Sequence, residues 1–542
     1  MHYATCGPGG INYARRHGLN LVARANPSEF GWAVRRVWGG KILNQATLGL
    51  FAANPQFSAR RRVTVHQMIV FLLLAICPGL GLAFLPASAA WAAASVVIGL
   101  FFLSVVALRL FCLFPLRPPR NRSVKNLSDA ELPIYSVLVP IFNEALILKQ
   151  LLRALSHLNY PVTRLDIKII VEETDTTMRR TLQKYILPPH FEIIVVPQGQ
   201  PQTKPRALNY ALQYCRGSLL TIYDAEDVPE PNQLRQVARE FLRADKKLAC
   251  LQAQLTSYNS NENWLTRQFT AEYATLFGLI LPALAAHNLP FPLGGTSNHF
   301  RTHILRKIGG WDPYNVTEDA DLGFRLARLG FRTGVVESLT YEEANNQLAN
   351  WLSQRARWLK GFMQTWLVHM RNPVKTGREL GPTGFWTFQS LTAGIFLSAL
   401  FHPFFIALTI WLLIENPPHV SLTTMILACL NLEVFVLGYG VAMLAGIRAL
   451  RLRGHKGWWF TIASMPAYWL LISIAAWLAL WQFILAPFKW NKTKHGLSKP
   501  QDQWPLPPPA AEGLRIRGSS TTMPKNRKVS SKKTSAIAMV IA

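Results

Sequence analysis

The sequence predicts an α/β domain on a parallel sheet, inserted between transmembrane helices. Three observations carry that prediction. Apolar runs long enough to cross a bilayer flank residues 130–370. Within that stretch, β-branched apolar segments alternate with helical ones. Basic residues gather in the segments outside the apolar runs.

Composition narrows the class first. The 542 residues are 50% hydrophobic and 16% charged, with 57 Lys+Arg against 29 Asp+Glu, a net charge of +28. Such hydrophobicity excludes disorder of the whole chain. Six cysteines are too sparse for a disulfide scaffold, and none are spaced as a zinc set. A nucleic-acid binder or a membrane protein with basic loops is left.

The apolar runs decide for the membrane. Residues 1–64 read as a basic cytoplasmic N-terminal arm, with Arg15, Arg16, Arg24, Arg35, Arg36 and Arg60 to Arg62 against the single acid Glu29. Two transmembrane helices follow within 65–115, in the runs 67–87 and 91–114, each matching the ~20 residues that cross a bilayer. Two crossings return residues 130–345 to the cytoplasm. Residues 346–372 form an amphipathic helix at the membrane interface. Further helices follow within 385–486, in the runs 385–414, 422–446 and 458–486. The last contains Pro466 and is expected to lie partly at the interface, because three full crossings would put the basic segment 489–494 outside. Residues 499–542, Pro-rich and then basic, read as a disordered tail. The chain is therefore expected in the plasma (inner) membrane, with its central domain cytoplasmic.

Inside that domain, strands are predicted at 135–140, 166–172, 191–196 and 218–227, and helices at 143–157, 176–185 and 205–214. This alternation implies parallel strands joined by right-handed crossovers. Ligands of such sheets sit beyond the carboxyl ends of the strands, where the acids of 172–175 and 224–227 fall.

Asp224-Ala225-Glu226-Asp227 closes a hydrophobic strand. Carboxylates so placed suit a hard cation such as Mg²⁺, and a solvated helix-capping turn is the other reading. Thr317-Glu318-Asp319-Ala320-Asp321 opens a helical pattern, with Thr317 the expected N-cap and Asp319 in the first turn. The helix dipole favours ionised Asp319 while Glu318 and Asp321 raise its proton affinity, a combination suited to a general base. Simple helix capping is the alternative. Gln354, Arg357 and Trp358 share one face of a helix. Arginine suits phosphate and an indole stacks on flat apolar faces, although a basic helix lying on anionic lipid has the same pattern.

Taken in order, VPIFNE (139–144), the acidic pair, TKPRALN (203–209), DAED, GGTSNHFR (294–301), TED (317–319), QRARW (354–358) and PFKWNKTKHG (487–496) resemble the membrane-embedded family 2 glycosyltransferases, the group of cellulose, chitin and hyaluronan synthases. The resemblance covers about residues 60–498. It implies a nucleotide-sugar-binding domain of the glycosyltransferase A type, an inverting reaction from a UDP-sugar, and Mg²⁺ or Mn²⁺ as cofactor. It implies metal binding by Asp224, with Glu226 where the family has a second Asp. Glu172 and Glu173 stand where aspartates contact the nucleotide. Lys204 and Glu318 join the donor site, and Asp319 matches the catalytic base. Gln354, Arg357 and Trp358 match the QxxRW signature at the acceptor and diphosphate. Its implied partners are the donor, a glycan or lipid acceptor, membrane lipid and an accessory export subunit, with no nucleic acid. Processive polysaccharide synthesis is the leading expectation. Single transfer to a lipid or short glycan is the alternative, and a non-enzymatic basic membrane protein the third.

Overall fold

The computed structural model describes residues 2–5, 20–24, 27–84, 87–114, 127–415 and 422–488, with 493, 496–498 and 515–516 beyond them. Arg15, Arg16, most of segment 489–494 and all but two residues of the tail lie outside the described residues. A 27-residue helix, α1 (Pro27–Ala53), precedes two apolar helices, α2 (Val65–Phe84) and α3 (Ala87–Cys112).

An eight-stranded sheet follows: β1 (Tyr135–Ile141), β2 (Leu165–Glu172), β3 (Phe191–Val196), β4 (Leu219–Ile222), β5 (Val228–Pro229), β6 (Leu248–Ser257), β7 (Asn298–Arg301) and β8 (Arg332–Glu342). Their spatial order is β3-β2-β1-β4-β7-β6-β8-β5. β3, β2, β1 and β4 are parallel, and every residue of β2 is buried, as a strand covered on both faces requires. The helices α4 (Leu148–Ser156), α5 (Thr176–Leu182) and α6 (Lys204–Leu212) lie between these strands in the chain.

The expectation of a parallel sheet fails in the second half. β7 runs antiparallel to both β4 and β6, while β8 is parallel to β6 and antiparallel to β5. β7 begins at the end of the sheet where β6 finishes, so it must run back. That reversal sets residues 294–297 beside the end of β4, where Ser297 N–H donates to the Ile222 carbonyl at 2.8 Å. Helix α4 also starts five residues later than predicted, because Asn143 is left-handed at φ 54° and 143–147 form turns. α5 ends at Leu182, and Tyr185 joins a two-residue strand.

Further helices include α7 (Trp264–Thr275), α8 (Glu318–Arg328), α9 (Leu348–His369), α10 (Ala393–Glu415), α11 (Leu422–Leu452) and α12 (Met465–Leu485). Among the described residues, four helical stretches are long and apolar enough to cross a membrane: Trp264–Ala286, Pro373–Phe404, Leu432–Leu452 and Met465–Leu485. The first was not foreseen, because it lies inside the stretch assigned to the α/β domain. Large apolar side chains are exposed on the others and on α2, such as Met68, Phe404, Val436 and Ile484. Apolar surface on helices of this length suits a bilayer. The run 458–486 divides into a short helix, Trp459–Ala463, and α12.

The N-terminal segment is docked rather than extended from the domain. Arg35 pairs with Glu192 at 2.7 Å, and Asn209 on α6 donates to the Ala46 carbonyl at 3.1 Å. Asp312 accepts from the Ser58 hydroxyl, and Arg371 donates to the carbonyls of Pro55 and Ser58.

Candidate active site

The carboxyl ends of β2 and β4 and the first turn of α8 meet at one cavity of about 830 Å³. At the end of β4, the Asp227 carboxylate accepts from the Asp224 N–H at 2.6 Å and from the Thr296 hydroxyl. Asp227 thus braces the turn, leaving Asp224 and Glu226 on the cavity wall. Lys204, at the start of α6, donates to Asp224 Oδ1 at 2.5 Å and to the Gly295 carbonyl at 2.7 Å. Burial would lower the Lys204 ammonium, but Asp224, Glu318 and Asp319 outweigh it and hold it charged.

Helix α8 carries Glu318, Asp319 and Asp321 in its first turn and Arg325 and Arg328 in its last, a distribution matched to its dipole. Thr317 occupies the N-cap position, but its side chain makes no capping bond. Asp319 and Glu318 line the cavity. Burial is the main cause raising Asp319, against the pull of Lys204 and Arg357. Burial and then Asp319 push Glu318 up to about 8. Asp321 differs from expectation. It lies on the other side of the helix against His369 at 3.1 Å and Arg325 at 3.4 Å, and plays no part in raising Asp319.

Helix α9 delivers Gln354, Arg357 and Trp358 to the same cavity, as their spacing predicted. It passes so close to Thr317 that a Cβ on Gly361 would meet Thr317 Oγ1 at 2.2 Å. Gln354 accepts from Asn345 at 2.8 Å. Arg357 is half-buried, and burial lowers its guanidinium against the opposing pull of Glu318, Asp319 and Asp224. The Trp358 ring is stacked with Tyr273 at 6.3 Å and 20°. Arg355 sits over it at 4.4 Å and is itself paired to Glu272 at 2.7 Å.

The two glutamates at the end of β2 part company. Glu172 lines the cavity, buried in a 2.6 Å pair with Arg206, and burial still raises it. Glu173 is on the exposed bend, where it accepts from the Gln198 N–H at 3.0 Å and is not part of the cavity wall. Sequence reading missed Glu342, Glu272 and Tyr273, which also line the cavity, as does Thr493 of the 487–496 motif, to which no role was assigned. Glu342 ends β8 and is pushed up to about 8, mainly by burial. Its only sequence signal was an acid at the end of a β-rich run.

A divalent cation would find an oxygen-only donor set in Asp224 and Glu226. Glu226 is raised well above the usual range by burial, then by Asp224, Asp227 and Glu144. Two carboxylates with substrate phosphates suffice for Mg²⁺. Among the described residues no three His, Cys, Asp or Glu side chains converge as a closed ligand set.

The family model described as "Glycosyltransferase like family 2" matches residues 133–361, the stretch from β1 through QRARW. Residues 133–361 are a glycosyltransferase family 2 domain. The domain resembles the "Probable glycosyltransferase YdaM" of Bacillus subtilis (strain 168), 25% identical over 252 residues, 46% of this chain and 60% of that one. A beta-monoglucosyldiacylglycerol synthase of Nostoc sp. is 25% identical over 392 residues, 69% of this chain and 79% of that one. Cellulose synthase 2 of Novacetimonas hansenii is 26% identical over 249 residues, 45% of this chain and 15% of that one. Among solved structures, a mannosyltransferase from Pyrobaculum calidifontis in complex with GDP-Man and Mn²⁺ aligns over 72% of this chain and 97% of its own, at 14% identity and a TM-score of 0.42. Residues 133–361 are thus a glycosyltransferase domain built on a mixed sheet, in a chain with four helical stretches long and apolar enough to cross a membrane among its described residues.

Proposed function

We propose that the family 2 domain transfers a sugar from a UDP-sugar to an acceptor hydroxyl, with inversion at the anomeric carbon. One observation carries this reading: Asp319, the Lys204–Asp224 pair, Arg357 and Trp358 line a single cavity that continues between the membrane helices. Asp319, with raised proton affinity, takes the proton from the attacking hydroxyl. Lys204 and Arg357 stabilise the charge that develops on the leaving diphosphate. Asp224 and Glu226 would hold Mg²⁺ or Mn²⁺, which when bound supplies Lewis-acid neutralisation of that diphosphate. Trp358 offers the acceptor a stacking face. The excess of basic residues before the first apolar helix supports a cytoplasmic domain on the inner membrane.

The names of the relatives extend the acceptor to lipids and glycans. Processive addition to a growing glycan is the second reading, favoured by the aromatic pair Tyr273 and Trp358 beside the carboxylates. An accessory export subunit belongs to that reading alone.

The test supplies membranes containing the protein with a panel of radiolabelled UDP- and GDP-sugars, and determines the anomeric configuration of the product. Transfer from a UDP-sugar with inverted configuration is expected. Retained configuration, or label incorporated only from GDP-sugars, overturns the reading.

A further inference from the structure

Residues 311–317 lead into the first turn of α8 and are braced from three directions. On the α6 side, Asn209 accepts from the Trp311 N–H at 2.9 Å and donates to the Trp311 carbonyl at 2.7 Å, and the Thr203 hydroxyl donates to the Pro313 carbonyl at 3.1 Å. From α9, Gln364 accepts from the Val316 N–H and Thr365 from the Asn315 side-chain amide, each at 3.0 Å. Both helices already serve the cavity, through Lys204 and through Arg357 and Trp358.

The third brace comes from outside the family 2 domain. Asp312 is fully buried, and its carboxylate accepts from the Ser58 hydroxyl at 3.0 Å and the Ala59 N–H at 2.5 Å. Residues 55–59 reach it as a strap seated against both helices. The guanidinium of Arg328 on α8 lies over the buried Phe57 ring at 4.8 Å, and the His369 ring of α9 is 6.1 Å away. Just past α9, Arg371 donates to the carbonyls of Pro55 at 2.7 Å, Ser58 at 2.9 Å and Arg61. None of residues 55–59 lines the cavity.

Burial and then Asp321 push Asp312 up to about 6, while the Ala59 and Tyr314 N–H groups and Arg325 pull it down. A buried carboxylate that loses its donors is strongly unfavourable, so Asp312 stays where the strap puts it. Its position passes on along the chain. The Thr317 N–H donates to Asn315 Oδ1 at 3.0 Å, and the Asp321 N–H to the Thr317 carbonyl at 3.2 Å. A shift at Asp312 therefore enters the turn of α8 that carries Glu318 and Asp319.

We propose that residues 55–59 place the base: through Asp312 they set the position of Asp319, with Ser58, Asp312 and Arg371 as positioning residues. This rests on the reading of Asp319 given above and adds to that site a segment that precedes the first apolar helix. The strap touches neither donor nor acceptor, so its effect on turnover must act through Asp312.

The experiment compares full chains in membranes: wild type, Ser58→Ala, Arg371→Gln, Asp319→Asn and the double variant Ser58→Ala/Asp319→Asn. Each is supplied with the labelled nucleotide sugar from which wild type transfers best. Ser58→Ala should lower the maximal transfer rate by about tenfold, as slight misplacement costs an oriented site, and leave the KM for the nucleotide sugar within about twofold. Arg371→Gln should give the same split. In the Asp319→Asn background, Ser58→Ala should cost less than about twofold, because no base is left to place. Unchanged rates in Ser58→Ala and Arg371→Gln overturn the proposal and leave Asp319 as the base. Equal losses from Ser58→Ala in both backgrounds, or a KM that rises as the rate falls, assign the strap to the fold alone and also overturn it. A fully active Asp319→Asn overturns both readings. Should Arg371→Gln fail to accumulate, Ser58→Ala decides by itself, since it removes one buried hydroxyl.

Discussion

The guanidinium of Arg355 lies 4.4 Å from the ring centre of Trp358, and Glu272 on α7 holds that guanidinium at 2.7 Å. The Trp358 ring, the proposed acceptor platform, is therefore fixed from a second helix. Trp358→Ala should reduce transfer more than acceptor-independent hydrolysis of the nucleotide sugar. Arg355→Lys keeps the charge but loses the planar stack, and a desolvated cation–π contact of about 2 kcal/mol predicts a KM for acceptor raised by up to roughly thirtyfold. Equal loss of hydrolysis and transfer in Arg355→Lys would instead mark a general folding defect.

Asp319→Asn keeps the shape of the side chain and removes its proton acceptor. Transfer should fall by ~10²-fold or more, the usual contribution of a general base, while donor binding is nearly retained. Full turnover at normal protein levels removes Asp319 from the role of base.

Asp224→Asn breaks the charge pair with Lys204 and halves the carboxylate pair available to a divalent ion. Donor binding should become insensitive to metal. In wild type, a chelator should abolish activity, and Mg²⁺ or Mn²⁺ should each restore it, because both take oxygen ligands. Undiminished wild-type turnover in excess chelator would falsify the metal assignment.

Glu318 keeps its proton to about pH 8, against an ordinary value of 4.5. The folded protein thus binds more protons than the unfolded chain across that window. The stabilisation from this group is complete below 4.5 and is lost as pH rises through about 8. Ionisation above pH 8 also sets a second negative charge beside Asp319 and the leaving diphosphate, so activity should decline there. Glu318→Gln should flatten both the alkaline limb of the rate profile and the fall in thermal stability between pH 4.5 and about 8. An alkaline limb unchanged in the variant would assign it to another group.

Gly361→Ala looks favourable by helix propensity, by about 1 kcal/mol. The added Cβ would stand 2.2 Å from Thr317 Oγ1, however, so α9 or the start of α8 must move. Since α8 begins with Glu318 and Asp319, activity should drop by at least roughly tenfold, as a displacement near 1 Å costs an oriented site up to about 10². Wild-type rates in this variant would show that the two helices yield without disturbing the site.

Much of the cavity's lining was legible because its acids sit at the ends of elements. Asp224 follows a buried strand and Asp319 opens a helix, so hydrophobic patterning marked where each acid would emerge. Helical spacing was enough to bring Gln354, Arg357 and Trp358 to one face. The same reasoning misjudged Asp321, since a charge two residues from Asp319 points to the opposite side of a helix and found His369 there. It also joined Glu172 with Glu173, although β2 ends at Glu172, which stays buried against Arg206, while Glu173 lies past the strand in an exposed turn.

By itself the sequence determined that this chain has apolar helices around a family 2 domain, because bilayer length, strand patterning and motif order are local properties. Only the tertiary structure decided how the second half of the sheet reverses, since antiparallel pairing of β7 depends on where the chain returns. It alone brought Glu272, Tyr273 and Glu342 to the cavity, from a helix and a strand with no motif of their own. It also decided the polarity of the cavity where it continues beyond Trp358. That property belongs to the facing sides of α3, α10, α11 and α12 together, and which side of a uniformly apolar helix faces inward is set by packing rather than by its own residues.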